Sequence, residues 1–339
     1  MDRKNVFVHD AVQPEALAKL QSLPQIRLEV VEDKEETEVW TIPEAHARDT
    51  HVLFSCETPT NLDEMDSLKL IQISSAGYAQ LCGLDLPGKG IRACNAAGVF
   101  DAPISEWNFT MIVNLARDIR GMIRNQEAGT WDRAARFQCE INGLVVGIWG
   151  YGGIGRATAH LCKAAGMIVH ALARQKVGPR TNFYCPPHTG DPDGTLPDRV
   201  FSPDQTQEFL GGLDFLVVSM PLSKSNRGII GEAELKALRP TAFVLNPARG
   251  PIIQEESLVR ALREGWIAGA ALDTHYYYPM PPDHPLWSMP NVIMTPHISG
   301  SNLSPHFLKR LWEIFSENVV RFVDDRPLLN ELTAAQLAG

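Results

Sequence analysis

Three glycines constrain the fold of this chain more than any other feature. In the run Leu144-Val145-Val146-Gly147-Ile148-Trp149-Gly150-Tyr151-Gly152-Gly153-Ile154-Gly155, an apolar strand leads straight into a G-x-G-x-x-G turn. Helix-compatible residues follow from Arg156 to Ala165, and a second apolar run, Met167 to Leu172, comes next. That order spells a βαβ unit. Gly150 permits the tight turn, Gly152 lets a pyrophosphate approach the backbone, and Gly155 lets helix pack on strand. The N-terminus of the helix offers free N–H groups and a positive dipole end to phosphates. Gly150, Tyr151, Gly152, Gly153, Ile154 and Gly155 therefore read as the floor of a dinucleotide site.

A chain of 339 residues is long enough for two domains, and its 44% apolar content is ample for their cores. The net charge of −9 comes with no Lys/Arg run, which argues against nucleic acid or an anionic membrane as partners of the surface. A local basic pocket for a small anion stays open. Cys56, Cys82, Cys94, Cys139, Cys162 and Cys185 form no C-x-x-C pair and no Cys/His cluster of zinc spacing. No metal is expected, and reduced thiols fit a cytoplasmic setting. The start, Met1-Asp2-Arg3-Lys4-Asn5-Val6-Phe7-Val8, reads as a first strand and not as a signal peptide. No apolar segment reaches membrane-spanning length.

The first hundred residues alternate short apolar runs with helical stretches: strands at Val6–Val8, Val52–Phe54, Leu70–Ile73 and Ile91–Ala93, helices near Glu15–Ser22 and Pro43–Arg48. Such alternation predicts a mostly parallel sheet. One long helix is expected from about Ile104 to Ala128, opened by Ala102-Pro103 and closed by Gly129. Gln175 to Pro203 is rich in Pro, Gly and Asp and reads as an ordered surface loop. Strands resume at Leu213–Ser219, Ala242–Leu245, Ile267–Leu272 and Val292–Met294, before a final helix at about Pro305–Val323. The fold class is α/β, with two Rossmann-like, doubly wound parallel-sheet domains. Because the nucleotide unit sits in mid-sequence, residues 1–103 and 298–339 are expected to build one discontinuous domain and 104–297 the other. The two long helices are expected to cross between them, and a cleft there is a natural ligand site.

Several further motifs, in order, resemble the D-isomer-specific 2-hydroxyacid dehydrogenases over nearly the full length. Besides the glycine turn they are Ser74-Ser75-Ala76-Gly77-Tyr78, Asn95-Ala96-Ala97-Gly98-Val99 with Pro103-Ile104-Ser105-Glu106-Trp107, Asn246-Pro247-Ala248-Arg249-Gly250, Ala270-Ala271-Leu272-Asp273 and Thr295-Pro296-His297-Ile298-Ser299-Gly300. Gly190-Asp191-Pro192 is similar to a loop of a fungal-type branch. The resemblance implies a 2-oxo acid reductase, of glyoxylate/hydroxypyruvate type, working by hydride transfer with NAD(P)H. It makes the discontinuous domain a flavodoxin-like substrate domain and implies a homodimer.

Each matched residue has a physical reason to be there. Arg249 follows an apolar strand, and the carboxyl end of a strand is where open α/β sheets hold ligands. Its guanidinium forks bidentately onto a carboxylate; an arginine in that place serves equally well to tie down its own loop. His297 likewise follows a strand, and an imidazole titrating near neutrality can protonate a carbonyl oxygen as hydride arrives. A lone histidine is more often structural; the Thr295-Pro296-His297 context points the other way. Asp273 resembles the residue that holds the nicotinamide amide, against the plainer reading of a strand-ending aspartate. Ala76 and Gly77 would offer N–H groups to the substrate carboxylate, or form a simple turn. The resemblance adds Pro221 and Ala248 to the cofactor contacts. His9, His46, His51, His160, His170, His188, His275, His284 and His306 are left to surface or packing, with His275 the nearest to the site through its closeness to Asp273.

Two positions depart from the family. A glutamate normally precedes the proline in a D-V-x-x-x-E-P stretch and pairs with the histidine. In Asp273-Thr274-His275-Tyr276-Tyr277-Tyr278-Pro279 that place falls on Tyr278. A phenol can orient a ring and brings no negative charge, so His297 is expected to stay neutral at lower pH than in relatives. The other consequences to weigh are a pocket for an unusual substrate, or loss of turnover. At the second departure, the acid that ends the second strand in NAD-preferring members is missing, and Ala173 and Arg174 stand there. That favours NADP(H) over NAD(H), with Arg174 facing a 2′-phosphate. Two other functions remain: a non-catalytic NAD(P)-binding sensor or scaffold, and an enzyme that uses tightly bound NAD(P) for transient oxidation in a net non-redox reaction.

Overall fold

Four-residue runs that are buried at every position, such as Val52–Ser55 and Phe215–Val218, can exist only in strands covered on both faces. The computed structural model describes residues 3–33, 39–133 and 138–338. It builds two such sheets, each in its own compact unit. One unit comprises Met1–Phe100, Thr181–Pro186 and Asn302–Gly339; the other comprises Asp101–Arg180 and Pro187–Ser301.

The first unit holds a five-stranded parallel sheet of β1 (Lys4–Asp10), β2 (Ile26–Glu32), β3 (Val52–Ser55), β4 (Leu70–Ile73) and β5 (Arg92–Cys94), in the order β2-β1-β3-β4-β5. Met1 and Asp2, the start of the expected first strand, lie outside the described residues. Alternate side chains of β1 supply two cores. Val6 and Val8 join Phe54, Trp312 and Phe315 on one face, and Phe7 joins Leu53, Ile71 and Trp40 on the other. Trp312 and Phe315 come from the helix Pro305–Val323, which begins where Ser304 caps it and Pro305 opens it. Strand β2 was not expected. It is an edge strand whose residues alternate polar and apolar and are mostly part-exposed, so it lacks the apolar run that marks its neighbours.

The second unit holds seven parallel strands: β6 (Val145–Trp149), β7 (Ile168–Leu172), β8 (Arg199–Phe201), β9 (Phe215–Val218), β10 (Phe243–Asn246), β11 (Gly269–Leu272) and β12 (Val292–Met294). Their order is β12-β11-β10-β9-β6-β7-β8. The chain leaves β6 toward β7 on one side and returns as β9 on the other, so the carboxyl ends of β6 and β9 form the switch point where such sheets bind ligands.

Three expectations need correction. The stretch expected as one helix is two, Asp101–Ala116 and Ile119–Glu127, because Asp118 adopts a left-handed φ of 46°; aspartate is among the few residues that tolerate it. Both of these helices are counted with the second unit and Pro305–Val323 with the first. The stretch read as loop to Pro203 contains β8, the edge strand beside β7. Against expected divisions at 103/104 and 297/298, the contacts divide the chain after Phe100 and after Ser301. They also count Thr181–Pro186 with the first unit. There Asn330 donates its N–H to Asn182 O (2.9 Å), and the Tyr184 hydroxyl donates to Glu313 (2.6 Å).

Candidate active site

The glycine turn stands at the switch point of the second unit. Gly150 has φ +102°, and a Cβ there would lie 2.7 Å from Ser219 O at the end of β9, so no other residue fits. Gly155 packs directly on the Gly150 carbonyl. Gly152 caps the helix Gly153–Ala164, and nothing lies within 4 Å of where its Cβ would be, which leaves the turn open to an approaching group. Open backbone at a helix N-terminus fits a pyrophosphate.

Tyr151 is buried. Its hydroxyl donates to Asp191 Oδ2 (2.8 Å), whose carboxylate also accepts the N–H groups of Thr195 (2.9 Å) and Leu196 (3.1 Å). Arg156 lies 5.2 Å over the Tyr151 ring and donates to the carbonyls of Asp191 and Gly178 (2.8 Å to the latter). Burial alone would raise the Asp191 carboxyl. The two N–H groups, the phenol and the guanidinium outweigh it and hold the group below the ordinary carboxylate range. The Gly190-Asp191-Pro192 loop is thereby latched to the glycine turn. The sequence marked this loop only as a family-branch trait, since its partners lie about forty residues away.

Arg174 follows β7 and is exposed; among the described residues it has no hydrogen-bond or ion-pair partner. Pro221 lies just past β9, exposed, with its carbonyl accepting from Asn226 (2.6 Å), and Ala248 is half-buried beyond β10.

The reacting end is built on three adjacent strands. Their register pairs Asn246 with Leu272 and Leu272 with Met294, so the loops bearing Arg249, Asp273 and His297 leave the sheet side by side. Asn246, 1% exposed, braces the first loop by accepting the Ala248 N–H and donating to Arg249 O. Gly250 lets that loop press on the next: a Cβ there would lie 2.5 Å from the His275 carbonyl. Arg249 is exposed, with Nη1 donating to Ala248 O (2.7 Å).

His297 has φ +58°. That conformation persists only where surroundings over-determine it, and here Asp273 does so. The fully buried Asp273 accepts the His297 N–H on its carbonyl (2.8 Å) and the Ile298 and Ser299 N–H groups on its carboxylate (2.9 and 3.0 Å). The Thr295 hydroxyl adds a fourth bond at 2.5 Å. Burial foremost, then the Arg249 guanidinium and His275, hold the His297 imidazole below its ordinary value, with Asp273 acting the other way. Arg249 and His297 thus share one electrostatic field.

Tyr278, 60% exposed, lies beside His297 with ring centroids 5.6 Å apart. Its hydroxyl accepts the His275 N–H (3.3 Å), and among the described residues no hydrogen bond reaches the His297 ring. His275, which the sequence left to packing, is buried against this turn with Nε2 2.8 Å from Thr295 O. Only its closeness to Asp273 hinted at that. In the first unit, Asn95 donates to Ala76 O (2.7 Å) and Ser75 to Gly77 O (2.8 Å). Among the described hydrogen bonds, the N–H groups of Ala76 and Gly77 have no acceptor.

Among the described residues no group of His, Cys, Asp or Glu could hold a metal, and no helix is long and apolar enough to cross a membrane. Residues 109–299 match the family model of the D-isomer specific 2-hydroxyacid dehydrogenase, NAD binding domain. A glyoxylate reductase of Thermofilum pendens is 30% identical over 263 residues, covering 76% of this chain and 73% of its own. A glyoxylate reductase of Aeropyrum pernix is 29% identical over 342 residues, covering 96% and 95%. The crystal structure of a D-isomer specific 2-hydroxyacid dehydrogenase from Xanthobacter autotrophicus, in complex with NADPH and MES, superposes with a TM-score of 0.77. It is 24% identical and covers 99% of this chain and all of that one.

Proposed function

The chain belongs to the D-isomer specific 2-hydroxyacid dehydrogenase family, and from that premise we propose that it reduces glyoxylate or a related small 2-oxo acid with NADPH. It is an NAD(P)-dependent oxidoreductase that interconverts a 2-oxo acid and a 2-hydroxy acid. Membership favours neither a non-catalytic sensor nor transient oxidation by a retained cofactor. Glyoxylate enters through the names of the archaeal relatives.

The observation that supports the assignment of roles is the strand register, which brings the loops bearing Arg249 and His297 off the sheet on either side of the Asp273 loop. A bound nicotinamide supplies the hydride. Arg249 forks onto the substrate carboxylate and draws density from the carbonyl oxygen. Protonated His297 gives its proton to that oxygen and is left neutral, the form that its surroundings favour. Tyr278 stands at the position of the family glutamate and walls the imidazole. Ala76 and Gly77, in the proposed substrate domain, offer their N–H groups to a carboxylate.

The open glycine turn holds the pyrophosphate, with Pro221 and Ala248 as further cofactor contacts, while the expected contact from Asp273 gives way to its bracing of the His297 turn, since its buried carboxylate is bonded to Thr295, Ile298 and Ser299. The unpaired Arg174 guanidinium takes the 2′-phosphate, which is why NADP(H) is favoured. A cytoplasmic setting is supported by six free cysteines. A homodimer is supported by the exposed Ile119, Ile123 and Trp287 of the nucleotide unit. The test is NADPH oxidation with glyoxylate, hydroxypyruvate and larger 2-oxo acids, comparing wild type with Arg249→Ala and His297→Ala. Equal rates in all three proteins would refute the assignments.

A further inference from the structure

We propose that His275 is a positioning residue for the proton-donating turn, holding His297 by way of the Thr295 carbonyl. The proposal rests on the reading of His297 as the proton donor. His275 is 8% exposed, and its Nε2 lies 2.8 Å from Thr295 O. A carbonyl only accepts, so Nε2 is the donor in this bond. Nδ1 is buried with no partner. Packing alone would select an apolar ring here, since a buried, unsatisfied nitrogen is destabilising. What imidazole adds is the bond to Thr295.

That bond matters because the same carbonyl accepts the His297 N–H at 3.0 Å. The two histidines meet on one oxygen, from opposite arms of the site. His275 acts a second time through its backbone, whose N–H holds the Tyr278 hydroxyl (3.3 Å) and so sets the ring beside His297. The strained φ of His297 is thus held by Asp273 on one side and by His275 on the other.

The test uses the full chain with glyoxylate and NADPH. His275→Gln keeps an N–H donor near the Nε2 position, His275→Phe keeps a ring without the donor, and His275→Asn keeps an amide that falls short. The Phe and Asn variants should lose about 10–100-fold in kcat, with KM for glyoxylate and affinity for NADPH within about twofold, because a small misplacement of a proton donor costs rate before it costs binding. The Gln variant should recover most of the loss. Wild-type kcat in His275→Phe, or a folded Gln variant as slow as Phe, would overturn the proposal. If Phe does not fold, equal rates for Gln and Asn would do so. His297→Asn separates the two readings. If it is inactive while His275→Phe is unimpaired, only the role of His275 fails; if it turns over normally, or wild type reduces no 2-oxo acid, both fail.

Discussion

The Tyr278 ring lies 5.6 Å from the His297 imidazole at an interplanar angle of 59°, yet its hydroxyl is committed to the backbone N–H of His275. The ring therefore flanks the imidazole without its hydroxyl serving as a hydrogen-bonding partner of it. The imidazole keeps Arg249 and His275 as neighbours that disfavour its charge, and Asp273 alone to favour it.

A pH dependence follows from that balance. With the His297 pKa below 6.5, the acid form that reduction needs is lost as pH rises through a value under neutrality. The base form needed for oxidation survives to lower pH. A carboxylate at position 278 would raise the imidazole by about 1–3 units. The pH profile of kcat/KM for reduction should therefore shift upward in Tyr278→Glu, and an unmoved limb would show that position 278 does not govern the proton donor.

Arg249 should resist conservative exchange. Lysine keeps the charge and loses the planar fork, so Arg249→Lys should lower kcat/KM by about 100-fold or more. Arg249→Ala should in addition move the reduction limb to higher pH, since a positive neighbour of His297 is gone. Steady-state rates across pH check both.

Cofactor choice should turn on Arg174. In Arg174→Asp a 2′-phosphate meets repulsion while a ribose hydroxyl gains an acceptor. The ratio of kcat/KM with NADPH to that with NADH should fall by about tenfold or more. An unchanged ratio would place the discrimination elsewhere.

The latch from Asp191 to Tyr151 should show in stability and in cofactor binding. Tyr151→Phe removes one donor from a buried carboxylate, at a cost of about 1–3 kcal/mol. Because the folded pKa of Asp191 is depressed, its contribution is present above the ordinary carboxyl value and is lost as pH falls through the folded one. The Tm gap between wild type and Asp191→Asn should be full at neutral pH and narrow in acid. Weaker NADPH binding in either variant would tie the loop to the cofactor.

How far residues alone reveal such a molecule depends on how far apart the interacting groups lie. The turn from Trp149 to Gly155 is local: strand, glycines and helix are consecutive, and their pattern carries their geometry. The same holds for the strands ahead of Arg249 and His297, whose buried or part-buried apolar runs announce a sheet end. Edge strands β2 and β8 escaped because half-exposed strands lack that run. The helix break at Asp118 escaped because a single φ carries no composition.

The chain's own order of residues established an α/β architecture, a phosphate turn and a set of side chains delivered to strand ends, because periodicity and glycine placement act over a few residues at a time. It left open which side chains meet. That the Tyr278 ring lies against His297, that His275 and His297 share the oxygen of Thr295, and that Asp191 clasps Tyr151 are consequences of folding. Each joins groups on separate loops, and hydrogen-bond partners are selected by the direction and distance that packing imposes, which no local pattern encodes.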